Sequence, residues 1–249
     1  MKLYYYTGPD FLKNILQDKR IKISRYGRYG ALNDPFEMFP FDTSDPDFRQ
    51  SLKKNVDTLA QTMGLICLSG TPTSPTMWGH YAQSHTGVCL EIETDFDHIF
   101  PVKYVKTKLS PGINMANARS HFSPKNIQAK LSTKSTDWSY EEEMRLHIPL
   151  DYPPIIQKNG MHFMPFQTKP DNTFKLCRIL VGFRNRYGIK NLQALVKDYR
   201  HPVTVVQTRP AFSQFEVVEQ KDKDFWNWEA TAEGEQTIGE QAVYGKISA

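Results

Sequence analysis

Cysteine is nearly absent from this chain: Cys67, Cys89 and Cys177 are three residues in 249. They are odd in number, far apart, and form no C-x-x-C pair. That excludes a disulfide scaffold, argues against a cysteine zinc site, and favours a reducing compartment. No apolar run approaches the ~18 residues of a membrane span, and the start, Met1-Lys2-Leu3-Tyr4-Tyr5-Tyr6-Thr7, lacks the apolar stretch of a signal peptide. The expectation is a soluble cytoplasmic protein with no membrane partner. No block of five or more basic residues occurs, so the net charge of +4 permits a nucleic acid or nucleotide partner without requiring one. Also missing are the phosphate-binding G-x-x-x-x-G-K-[ST] loop, the G-x-G-x-x-G turn, G-x-S-x-G and H-E-x-x-H. Neither an internal repeat nor a linker-like break in composition interrupts the chain.

Aromatic residues are plentiful, 12% of the chain, and they exclude disorder. The patterns predict strands at Leu3–Thr7, Arg20–Ser24, Gly64–Ser69, Val88–Ile92, Val102–Val105, Phe174–Phe183, Val203–Gln207 and Phe215–Val218. Helices are expected after Gly8-Pro9, from Asp45-Pro46 to about Met63, from Ser74-Pro75 to Gly87, and over Ile189–Tyr199. In two of these an Asp or Ser stands as N-cap before a first-turn Pro. Residues 112–131 read as weakly helical, and the proline-bearing stretch from Pro149 to Pro170 as loop. Together these give an α+β fold: a single domain over 1–228 with a mixed, mostly antiparallel sheet, whole or split, flanked by helices. Residues 229–249 read as a peripheral polar segment.

Three segments hold residue types that local structure does not require. Asn33-Asp34-Pro35-Phe36-Glu37 is a turn with a Phe suited to anchoring it in the core. Met77-Trp78-Gly79-His80-Tyr81-Ala82 puts aromatics, a His and a helix-weakening Gly together; an interior Gly costs about 1 kcal/mol relative to Ala. The third, Trp138 to His147, reads as a strand whose faces differ chemically. Trp138, Tyr140, Met144 and Leu146 share one face with Glu142, and Ser139, Glu141, Glu143, Arg145 and His147 share the other. Glu141 and Glu143 would lie about 7 Å apart, next to a guanidinium and an imidazole. Such a pair suits ribose binding and stabilisation of positive charge; a solvent-facing strand with cross-strand ion pairs fits the same pattern. A Mg²⁺-dependent nuclease is a further reading, which needs Asp34 or Glu37 brought to the pair by folding. His80 and His85, five apart, fall on different helix faces, and Cys67 sits in an apolar run as a small core residue.

In this order the segments Leu32–Glu37, Met77–Val88 and Trp138–Arg145 resemble a bacterial family of unknown function found among phage abortive-infection proteins. The order of elements in turn resembles that of ADP-ribosyltransferases: an early strand with Tyr-Thr, a central strand ending in Ser, and a late strand with Glu-x-Glu. The resemblance implies NAD as substrate and Glu143 as the catalytic carboxylate, with Glu141 its partner toward the acceptor. Tyr6, Thr7 and Ser69 would stand beside the NAD, with Trp78, His80, Tyr81 and Arg145 as further cofactor-binding candidates. Arg145 would either pair with pyrophosphate or hold the glutamates in place. A nucleic acid or protein acceptor, a cognate antitoxin and a toxin-like defence role complete what is implied. The alternative is a non-enzymatic nucleotide-binding or sensor module. The chain departs from the best-known transferases in having no Arg or clear His on its first strand.

Overall fold

The computed structural model describes residues 1–26, 33–110, 132–168 and 173–222. The expected weak helix over 112–131 and the polar segment 229–249 lie outside these residues. In chain order the first half holds β1 (Lys2–Thr7), α1 (Pro9–Asp18), β2 (Arg20–Arg25), α2 (Pro46–Thr62), β3 (Met63–Ser69), α3 (Pro75–His80), β4 (Val88–Thr94), β5 (Ile99–Pro101) and β6 (Lys103–Val105). The second half holds β7 (Thr133–Ser135), β8 (Glu143–Pro149), β9 (Ile156–Lys158), β10 (Met161–Pro165), β11 (Gln167–Thr168), β12 (Thr173–Val181), α4 (Ile189–Val196), β13 (Thr204–Pro210) and β14 (Val217–Glu219). The fold is α+β and its strands are mostly antiparallel. They gather into two compact units, each built from separate stretches of chain.

The first unit comprises residues 1–20, 69–95 and 166 onward. Its strands run β14-β13-β12-β4-β1, antiparallel except for the parallel β12–β13 pair. β4 is buried at every position but Glu93, which makes it a central strand. Helix α1 buries Leu12, Ile15 and Leu16, one face at helical spacing, and it is tied to the chain after α4 by a hydrogen bond from the Tyr199 hydroxyl to the Leu16 carbonyl, 2.8 Å.

Helix α3 starts as expected, with the Ser74 side chain accepting from the Met77 N–H and Pro at the first position. It stops at His80, not at Gly87. Gln83, Ser84 and His85 then adopt left-handed conformations, φ 47°, 54° and 68°, which cost about 1–3 kcal/mol each for non-glycine residues. What holds them there is a set of tertiary bonds. The His85 carbonyl accepts from the Arg184 N–H at 3.1 Å, and the Gly87 carbonyl accepts from the Gly182 N–H at 3.0 Å. The two backbones approach so closely that a Cβ on Gly182 would lie 2.1 Å from the His85 carbonyl oxygen, so only glycine fits.

The second unit comprises residues 21–68 and 96–165. There β2 pairs β3 and β10, β9 pairs β10, and β8 pairs both β3 and β5. β6 and β7 form a separate parallel pair, with Lys103 opposite Thr133. Helix α2 has the Asp45 carboxylate as its N-cap, accepting from the Phe48 N–H at 2.7 Å. It lays Leu52 and Val56 on a core of Tyr26, Met38, Phe41 and Leu65. The stretch expected to be loop contains the β9–β10 hairpin. Its turn, Asn159-Gly160, has φ 51° and 69° at the two central positions, the left-handed pair that Asn-Gly favours.

Candidate functional site

The segment expected as one strand over Trp138–His147 is divided. Thr136–Glu141 is a 3₁₀ helix, Glu142 is left-handed (φ 43°) and exposed, and the strand begins only at Glu143. Ser135 starts the helix by accepting from the Asp137 N–H, and the Glu142 N–H closes it on the Ser139 carbonyl at 3.2 Å. Trp138 and Tyr140 are therefore half-buried rather than core residues, and Glu141 does not share a strand face with Glu143. From Glu143 onward the expected alternation holds: Glu143, Arg145 and His147 are all buried on one face.

The reversal at Glu142 brings the two glutamates together by another route. Glu141 Oε2 lies 2.7 Å and Glu143 Oε2 2.8 Å from the same ammonium, Lys134 Nζ. Arg145 grips Glu143 with two bonds, Nε to Oε1 at 3.0 Å and Nη2 to Oε2 at 3.1 Å. Its Nη1 reaches Glu37 Oε1 at 2.7 Å, and Lys134 Nζ stands 3.6 Å from Glu37 Oε2. Three carboxylates thus face two cations. All five side chains are at most 7% exposed, and Arg145 is fully buried. The Glu143 N–H donates to the Tyr104 hydroxyl at 2.8 Å, and Lys134 sits 5.3 Å from the centre of the Trp138 ring. The Asn33–Glu37 loop contributes through its turn: Asp34 accepts from the Phe36 N–H at 2.8 Å. Phe36 is not the anchor expected of it, being 57% exposed, while Met38 is fully buried in its place.

Charge states follow from this packing. Burial alone pushes the Glu143 carboxyl up, but Arg145 and then Lys134 outweigh it and hold it down at about 2. At Glu37 burial wins over the same two cations, so its carboxyl rises above the ordinary value. Lys134 goes the other way: burial disfavours its charge, but Glu143, Glu37 and Glu141 together raise it. Burial, then Glu143, raises the Cys67 thiol and keeps it protonated.

His147, at the end of the same face, is enclosed between Tyr26 and Ser132. The Tyr26 hydroxyl contacts Nδ1, and the Ser132 hydroxyl lies 3.0 Å from Nε2. Burial and then Arg145 lower its pKa to about 4. A histidine depressed in the folded state binds fewer protons there than in the unfolded chain. Its contribution to stability is complete above the unfolded value near 6.5 and is lost as pH falls toward 4. Glu37, with a raised pKa, has the opposite slope. His147→Gln should therefore flatten the decline in thermal midpoint between pH 6.5 and 4 relative to the parent chain. An unchanged decline would show that His147 does not titrate there.

The remaining expected residues lie in the first unit. The Tyr6 hydroxyl donates to the Thr71 carbonyl at 2.9 Å, Ser69 Oγ to the same carbonyl at 3.1 Å, and Trp78 Nε1 to the Pro72 carbonyl at 2.8 Å. Tyr6, Ser69 and Trp78 therefore converge on one short stretch of backbone. Trp78 is fully buried, with Tyr6 at its ring edge-on, 5.4 Å between centres, and His85 stacked at 6.1 Å. Thr7 is buried, Tyr81 half-buried and His80 exposed, with the His80 and Tyr81 rings 6.4 Å apart.

Lys134, Tyr104, Tyr26 and Ser132 carry no sequence signal of their own. Lys134 stands in an ordinary polar run, and only the fold shows that it is the shared counter-ion of the glutamates. No group of three or more His, Cys, Asp or Glu side chains among the described residues is arranged to hold a metal ion, and no described helix is long and apolar enough to cross a membrane.

Compared with known proteins, residues 77–146 match a family model described as a protein of unknown function, DUF2971. That span includes Lys134, Glu141, Glu143 and Arg145 but neither Glu37 nor His147. No curated protein and no solved structure matches the chain.

Proposed function

We propose that the chain is an ADP-ribosyltransferase-like effector that acts on NAD, with Glu143 as its charge-stabilising carboxylate and Glu141 as the partner. One observation carries the reading: both carboxylates of the Glu-x-Glu sequence converge on a single cation position, and Glu143 is held ionised there. Three carboxylates against two cations favour one further positive charge in a buried setting.

Cleavage of the nicotinamide–ribose bond develops such a charge. Nicotinamide leaves with the bonding electron pair, the ribosyl carbon becomes oxocarbenium-like, and an acceptor nucleophile closes the new bond while its proton passes to a carboxylate such as Glu141. Arg145, gripping Glu143 with two parallel bonds, keeps that carboxylate charged and oriented. The defence setting and the nucleic acid or protein acceptor follow from the family resemblance and belong to the same proposal.

A second reading, a non-enzymatic nucleotide-binding or sensor module, is favoured by the burial of the cluster, in which every charge has a partner. The nuclease reading receives Glu37 near the pair, and Lys134 Nζ holds the place between the carboxylates that either a divalent cation or a ribosyl cation would take. Incubation with labelled NAD and cell extract separates the three. Label transferred to a macromolecule supports the transferase, loss of nucleic acid in Mg²⁺ supports the nuclease, and neither outcome supports the module.

A further inference from the structure

We propose that the first unit binds single-stranded nucleic acid, stacking its bases in the groove formed by His85, Phe183 and the β13–β14 turn. The groove encloses about 450 Å³, within the range of sites that hold a nucleoside-sized group. The turn projects Phe212, 70% exposed, and Phe215, fully exposed. Neither ring is there through fraying. The loop is closed by the Ala211 N–H on the Glu216 carbonyl at 2.8 Å and anchored by the Val217 N–H on the Thr73 carbonyl, also 2.8 Å. Two phenyl rings held out in water beside a groove signify a recognition surface.

The charges identify the kind of partner. The Arg209 guanidinium lies 4.1 Å from the centre of the Phe212 ring, and that of Arg184 lies 5.4 Å from Phe183. Aromatic faces with guanidinium groups at their margins suit a base on one side and a phosphate on the other. Among the described residues lining the groove the one carboxylate is Glu216, and the chain as a whole is cationic, with a net charge of +4. A duplex keeps its bases stacked inside and has no free face for these rings. A purely apolar protein anchor would not require the arginines.

His85 adds a hydrogen-bonding group. Its ring is fixed between Trp78 and Phe183, the latter 4.6 Å away between centres, on the left-handed run described above. Its Nδ1 is buried with no hydrogen-bond partner among the described residues. A buried polar atom in that state is unusual, and it belongs to a ring that lines the groove. Burial, then Arg184, favours the neutral ring, which pairs with donors or acceptors alike.

The proposal is independent of the carboxylate reading, and one set of proteins tests both. Binding of the full chain to fluorescein-labelled single strands of about 12 nucleotides is followed by anisotropy at two salt concentrations. Phe212→Ala and Phe215→Ala, both at exposed positions that leave the core intact, should each weaken binding about fivefold or more. Arg184→Gln with Arg209→Gln should weaken it and reduce its salt dependence. Several results overturn the proposal: no binding at low salt, equal affinity for duplex, affinity unchanged by loss of both rings, or a mononucleotide binding as tightly as the strand. NAD consumption by the ring variants reports separately on the transferase reading, so the failure of one is not the failure of the other.

Discussion

Arg145→Met is expected to lower the stability of the second unit by about 3–5 kcal/mol, the penalty for removing one partner of a buried charge cluster. For a chain of this size that is a fall in thermal midpoint on the order of 10 °C. The reason is what the substitution leaves behind. Arg145 makes two bonds to Glu143 and one contact to Glu37, and it is fully buried. Without it three carboxylates face Lys134 in a setting nearly closed to solvent.

The charge argument makes a second demand. If the unpaired charge is the main penalty, adding Glu143→Gln to Arg145→Met should recover part of the loss, because it removes a carboxylate that no longer has its partner. Arg145→Lys should fall between, retaining the charge without the bidentate geometry. The measurement is thermal and denaturant unfolding of the three variants beside the parent. A loss below about 1 kcal/mol for Arg145→Met would put it in the range of exposed ion pairs and contradict the packing described.

Glu143→Gln by itself has a different expected signature. It leaves Glu37 and Glu141 opposite Lys134 and Arg145, two carboxylates with two cations, so the fold should survive with a far smaller change in midpoint than Arg145→Met. Turnover should not survive. If Glu143 stabilises an oxocarbenium-like state, replacing its charge with an amide of the same size should slow NAD consumption by roughly 10²-fold or more. Glu142→Gln is the matching control. That side chain is exposed, outside the cluster, and one residue away, and its effect on stability should stay within about 0.5 kcal/mol. Equal NAD consumption by the two variants, with both folded, would end the catalytic reading of Glu143 and leave the cluster a structural clasp.

The chemistry of this centre was only half legible in the sequence. Period-2 alternation sets Glu143, Arg145 and His147 on one face without help from the rest of the chain, because strand geometry leaves side chains no other choice. The helix starts at Asp45-Pro46 and Ser74-Pro75 are equally local, each fixed by a capping oxygen and a pre-set proline φ. The Asn159-Gly160 turn is local too, but the prolines around it make the stretch read as loop, and the sequence reading misses the hairpin.

Other features are decided by distant contacts. The 3₁₀ helix that displaces Trp138 and Tyr140 turns at a left-handed glutamate, a conformation with no local advantage, and it ends with Glu141 and Glu143 on one ammonium. Helix α3 stops at His80 because the His85 and Gly87 carbonyls bond to residues about a hundred positions away. The division into two units leaves no linker composition, since the chain crosses between them several times within ordinary elements. Lys134 is the plainest case. A lysine in a polar run is by itself a surface residue, and only folding surrounds it with three carboxylates and buries most of its surface, so that their combined charge holds its proton in place.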